Sequence, residues 1–97
     1  MLKRLSNKSA EDPGVFRLNV LNIHTMEYSE GDKKLILEIE FGRKPTGEPF
    51  WSVYSKTLRG WHPPHDKEPF NTIDQKRILK NVSSGLGFLH MSHEIVF

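Results

Sequence analysis

The sequence predicts an α+β domain: a mostly antiparallel β-sheet of about five or six strands, one C-terminal α-helix packed on it, and a final strand after the helix. Three observations predict this. Apolar and polar residues alternate through Phe16–Val20 and Leu35–Phe41, the period of a half-buried strand. From Ile78 the period becomes helical, with Ile78, Leu79, Val82, Leu86 and Leu89 on one stripe and Lys76, Arg77 and Lys80 on the other side. Turn residues then break the first part of the chain into short pieces, as successive antiparallel strands require.

Residues 1–14 are polar and end in Glu11-Asp-Pro-Gly14, a turn signal, so they read as a loosely ordered leader to a single domain over 15–97. Phe16, Leu18 and Val20 form the inner face of the first strand. Leu21 and Ile23 take the opposite parity, which predicts a bulge or bend near Asn22 before Met26 and Tyr28 continue. Ser29-Glu-Gly-Asp32 is a hairpin turn, because Gly31 can take positive φ without steric cost. Leu35, Leu37, Ile39 and Phe41 share one face of the next strand, opposite Ile36, Glu38 and Glu40. Two glycines and two prolines make a loop of 42–49.

Residues 50–55 are apolar on both parities. They predict a central strand covered on both sides, or one whose outer face meets a partner. Residues 57–61 are expected to form a short edge strand closed by Pro63 and Pro64. Thr72 with Gln75 makes a capping box, and Asn71 with Asp74 a weaker one. Gly85 and Gly87 weaken the last turns, so the helix ends near Ser84 or runs frayed to Phe88. Residues 90–97 return as a strand with Ile95 and Phe97 on one face.

Composition narrows the function. Ninety-seven residues allow one core and no second domain. No apolar run approaches the roughly 20 residues of a spanning helix, and none follows the basic start, so neither a membrane span nor a secretory signal is expected. The absence of cysteine removes disulfides and thiolate metal sites and suits a reducing, cytoplasmic compartment. A net charge of +2, with 14 basic and 12 acidic residues interspersed, gives no continuous basic stripe for nucleic acid.

Candidate chemistry is sparse. His62-Pro-Pro-His65 and His90-Met-Ser-His93 are two similar pairs that could in principle supply four imidazoles to zinc. The diproline fixes the first pair in extended backbone and the second straddles a helix–strand junction, so no metal or other cofactor is assigned. Histidine acid–base chemistry, as in a small nuclease using His62, His65 or His93, is the catalytic alternative. No nucleophile elbow, phosphate-cradling loop or His-Glu-x-x-His motif accompanies it, and no catalytic residue is assigned. A nucleic-acid module built on Lys76, Arg77, Lys80 and the basic start is a further alternative.

Binding to a protein is the reading these residues favour. Glu27, Glu30, Asp32, Glu38 and Glu40 gather around one hairpin, where a negative patch would steer a basic partner. Glu38 and Glu40 point the same way, about 7 Å apart. Trp51 and Tyr54 lie on opposite faces of one strand, so one packs under the helix and the other faces out. Trp61 either caps the open end of the core or anchors an interface.

The hairpin Tyr28-Ser-Glu-Gly-Asp32, the strand from Leu35 to Phe41, Tyr54, the corner Trp61-His-Pro-Pro64 and the helix start with Ile78-Leu-Lys-Asn-Val82 together resemble a family of bacterial immunity proteins, the one numbered seventy-four. The resemblance covers roughly residues 26–97. His62 stands where an acidic residue is expected, and the leader has no counterpart. Such a family implies no catalysis. It implies a cytoplasmic protein that binds one cognate toxin domain and blocks its active site, with no membrane or direct nucleic-acid partner and no defined oligomeric state. The resemblance supplies no contact residues; because many such toxins are basic nucleases, the contact is expected on the acidic hairpin face, Trp51, Tyr54, and the corner Trp61, His62, His65 and Asp66.

Overall fold

The computed structural model describes residues 1–97. Seven strands form one sheet in sequence order: β1 (Lys3–Ser6), β2 (Ser9–Asp12), β3 (Phe16–Val20), β4 (Thr25–Glu30), β5 (Lys33–Arg43), β6 (Pro49–Tyr54) and β7 (His93–Val96). Neighbours from β1 to β6 are antiparallel. The single helix α1 (Thr72–Phe88) carries the chain back so that β7 pairs parallel to β6. A parallel neighbour needs such a crossover, since a tight turn can only reverse direction.

Alternation decides which face is core. Phe16, Leu18 and Val20, then Met26 and Tyr28, then Leu35, Leu37 and Ile39, then Trp51 and Val53 are all buried on one side of the sheet. Ile78, Val82 and Leu86 cover them from α1. No buried side-chain nitrogen or oxygen lacks a partner. The other face of the sheet carries no helix and remains open.

β5 is the longest strand, and its two halves have different neighbours. Lys33–Glu38 pair with β4, whereas Ile39–Arg43 pair with β6. Beside the first half runs the segment after β6: Glu38 N–H donates to Thr57 Oγ1 at 3.0 Å, and His62 N–H donates to the Lys34 carbonyl at 2.7 Å.

Several sequence expectations change. The stretch read as a loose leader forms the β1–β2 hairpin, with Ala10 fully buried against the sheet. β1 is exposed at every residue, so it carries no alternation for a sequence reading to detect. Leu21 and Ile23 do not mark a bulge. They are exposed in the loop that turns β3 into β4, closed by Leu21 N–H on the Thr25 carbonyl at 2.9 Å. No edge strand forms over 57–61. The chain makes a 3-10 turn at Ser55–Thr57 and then an irregular segment that buries Leu58 and Trp61. β6 is covered on one side only, with Phe50, Ser52 and Tyr54 half-buried on the open face. The capping box belongs to Asn71 and Asp74, and α1 continues through Gly85 and Gly87 to Phe88.

Candidate functional site

The residues proposed from sequence as one surface divide into three groups. The first is structural. Tyr28 is fully buried, and its hydroxyl donates to Glu30 Oε2 at 2.5 Å while accepting from Asn81 Nδ2 at 3.0 Å. Arg77 reaches from α1 to the same carboxylate, with Nε at 3.1 Å and Nη2 at 2.9 Å, and places Nη1 2.8 Å from Asp74. Burial pushes the Tyr28 phenol well above its usual range, and Glu30, then Asp74, hold Arg77 firmly protonated. Glu30 therefore ties the sheet to the helix and is not free for a partner. Trp51 and Trp61 are only 8% and 6% exposed. Trp51 packs on Phe41, and Trp61 stacks on Tyr28 and meets Phe70 edge-on at 5.9 Å. Both are core residues that offer little surface to a partner.

The second group is a clasp at the β4–β5 turn, where Gly31 takes φ 63°. His65 lies between two carboxylates, its Nδ1 on Glu68 and its Nε2 3.3 Å from Asp32. Lys33 Nζ contacts the other Glu68 oxygen at 2.6 Å. Lys33, then His65, hold the Glu68 carboxyl below the usual carboxylate range. The clasp fastens the loop before α1 to the tip of the hairpin. His62 and Asp66 are exposed beside it.

The third group stands on the open face. Strand register sets Thr25 beside Glu38, Glu27 beside Ile36, Glu40 beside Ser52, and Ser52 beside Glu94. The result is an acidic band across four strands: Glu27 on β4, Glu38 and Glu40 on β5, and Glu94 on β7. Tyr54 lies within it. Partial desolvation, then the carboxylates of Glu40, Glu94 and Glu38, push its phenol above the usual value. A shallow depression of about 360 Å³ opens here, lined by His24, Thr25, Glu38, Ile39, Glu40 and Tyr54. The loop carrying the exposed Leu21 and Ile23 ends at its rim, because Ile39 N–H donates to the His24 carbonyl at 3.0 Å. The face also carries basic residues: Lys34, exposed beside Ser29, and Arg17, which pairs with Glu11 at 3.0 Å, flank Glu27, and Lys44 Nζ sits 5.2 Å from the Phe50 ring.

The four paired histidines are held by different elements. His65 belongs to the clasp. His90 closes α1 with φ 59°, and His93 is fixed by the Met91 carbonyl at 3.0 Å and Ser83 Oγ at 3.1 Å. No three His, Asp or Glu side chains are grouped to hold a metal ion.

Alternation along β5 puts Glu38 and Glu40 on one face from sequence, but leaves open which of Trp51 and Tyr54 turns outward. It misses Glu94, since only the parallel pairing of β7 with β6 brings that residue beside Ser52, 42 positions earlier. It also misses the apolar loop tip, because Leu21 and Ile23 look like strand positions of shifted parity. No helix is long and apolar enough to cross a membrane. No family model, curated protein or solved structure matches the chain.

Proposed function

We propose that this chain works by binding the basic surface of another protein on its open sheet face. The specific reading is an immunity protein of the bacterial cytoplasm that occludes the active site of a cognate toxin domain, a nuclease, as the resemblance of the hairpin, corner and helix motifs implies. The observation that carries the binding reading is the acidic band of Glu27, Glu38, Glu40 and Glu94 around Tyr54, on a face that neither helix nor loop covers. A chain of net charge +2 that concentrates four carboxylates on one face holds a strong local field against its overall sign. Such a field accelerates encounter with a cationic surface, while half-buried Tyr54 and Phe50 and the exposed Leu21 and Ile23 provide apolar contact that slows release.

The interface therefore keeps Glu27, Glu38, Glu40 and Tyr54 from the sequence reading and adds Glu94. Glu30, Trp51 and Trp61 leave it because the fold already uses them. Asp32, His62, His65 and Asp66 lie at the hairpin tip and form at most its rim.

The test is capture from the producing strain, or with the product of the adjacent upstream gene, using this chain as bait. One stoichiometric partner that is toxic alone and harmless with this chain supports the reading. Reversing Glu38→Lys together with Glu40→Lys is expected to weaken that complex by more than about tenfold and leave the thermal midpoint nearly unchanged. Unchanged affinity would move the contact elsewhere. RNA turnover by the purified chain, lost on replacing His62, His65 or His93, would replace binding with catalysis.

A further inference from the structure

The two edges of the sheet are built differently. β1 bears Lys3 and Arg4, is interrupted by a register shift between Arg4 and Ser6, and is exposed at every residue. Cations and irregular register are the usual means of keeping an edge strand from pairing with another chain. β7 has none of these. Its sequence His93-Glu-Ile-Val96 contains no lysine, arginine or proline, and it runs in unbroken register along β6.

The hydrogen-bond pattern of β7 fixes which of its backbone groups are free. Trp51 N–H donates to the Ser92 carbonyl at 2.9 Å, and the pairs Trp51 with His93 and Val53 with Ile95 set the phase of the parallel ladder. In that phase Ser92, Glu94 and Val96 turn their N–H and C=O groups toward β6. Ser55 Oγ donating to the Val96 carbonyl at 2.9 Å agrees with it. His93, Ile95 and Phe97 therefore turn theirs outward. Phe97, 79% exposed, continues the line of the edge.

We propose that this edge pairs with β7 of a second copy of the same chain, antiparallel and centred on Ile95. About that centre the edge is self-complementary. Ile95 faces Ile95 in a hydrogen-bonded pair, and His93 faces Phe97 on either side, so each outward group meets its counterpart. Glu94 falls opposite Val96 of the second copy and no carboxylate opposes another directly, which a register one residue away would not guarantee. Phe97 of each copy comes to lie beside His93 of the other. There a depression of about 530 Å³, lined by Lys44, Phe50, Gly87, His90, Met91, Ser92 and His93, is open to receive it. The net charge of +2 per copy gives little long-range repulsion.

So short a strand buries less than the roughly 1,200 Å² of a standard interface, and the association is correspondingly weak and reversible. A dissociation constant on the order of 10–100 μM is expected. The two acidic bands become neighbours in the paired sheet, so salt screens their repulsion and tightens the contact.

Sedimentation equilibrium over a concentration series tests this. The average mass is expected to rise from 11.3 kDa toward twice that value, and to rise further with added salt. Ile95→Pro removes an N–H that no partner within the chain uses, and Phe97→Asp places a charge on an exposed position that the fold does not need; each should return the protein to monomer. Val96→Lys, opposite Glu94 of the second copy, should tighten the dimer about two- to fivefold. A monomer at every concentration overturns the proposal. So does a dimer that salt dissolves or that ignores Phe97→Asp, the variant whose folding is not in question.

Discussion

Gly85 lies where α1 packs against Phe16 and Leu18 of β3. A β-carbon there would sit 2.6 Å from Leu18 Cδ2 and 3.6 Å from Phe16 Cε2, and the Leu18 side chain, which is fully buried, would have to shift to admit it. Gly87, two residues on in the same helix, would gain a β-carbon with nothing within 4 Å. Both glycines cost α1 backbone entropy, but only one repays it through packing. Gly87→Ala is expected to stabilise the protein by about 0.5 kcal/mol. Gly85→Ala should destabilise it by about 1–2 kcal/mol, since overpacking outweighs the gain in helix propensity. Urea midpoints of the two variants check this, and equal effects would refute it. In the sequence the two positions look alike, two small residues near the end of one helix. What separates them is the distance to a strand nearly seventy positions earlier, and nothing local records that distance. The tryptophans pose the same difficulty. Trp61 sits among turn residues, where an exposed anchor and a buried lid have identical surroundings in sequence, and only its stacking on Tyr28 distinguishes them.

Elements were legible where alternation or capping is expressed along the chain itself. β3, β5 and the stripe of α1 follow from their periods, because each packs one face on the core and leaves the other wet. β1 and β2 escaped for the opposite reason: their residues are mostly polar, and the hairpin is held to the sheet by its backbone and by Ala10. The start of α1 offered two overlapping caps one residue apart. The structure uses Asn71, whose side chain accepts from Asp74 N–H at 3.0 Å while the Asp74 carboxylate accepts from Asn71 N–H at 3.0 Å. Asn71→Ala should therefore cost about 1 kcal/mol, and Thr72→Ala only a few tenths. Thermal unfolding of both decides between the caps, and a larger loss at Thr72 would restore the other one. The segment after β6 looks like a strand in sequence because its apolar residues are spaced like one. Its carbonyls and amides instead serve a 3-10 turn and the strap to β5.

Across the whole molecule, the order of strands 1 to 6 follows from their sequence, since each turn is short, but the place of β7 does not. Its neighbour is chosen by where α1 delivers it, and the acidic band is completed only by that choice. Ionisation also acts at this scale. Asn71 and then Arg77 hold Asp74 below its ordinary value of 3.8, and Lys33 and then His65 hold Glu68 below 4.5. Both carboxylates take up protons at higher pH in the unfolded chain than in the folded one. Their contribution is therefore complete above the ordinary carboxylate values and is lost as pH falls below them. Urea midpoints measured from about pH 5.5 to about pH 3 should decline, and Asp74→Asn with Glu68→Gln should flatten that decline. An unaltered acid limb would show that neither group is linked to folding. β5, finally, belongs to both halves of the sheet, with β4 along its first residues and β6 along its last. Glu38 and Glu40 stand at the changeover, so whatever rests on them bears on the one rail that two ladders have in common. Weight placed on the surface there is carried into both, and a bound partner would act as a splint across a joint that the protein on its own leaves to a single strand.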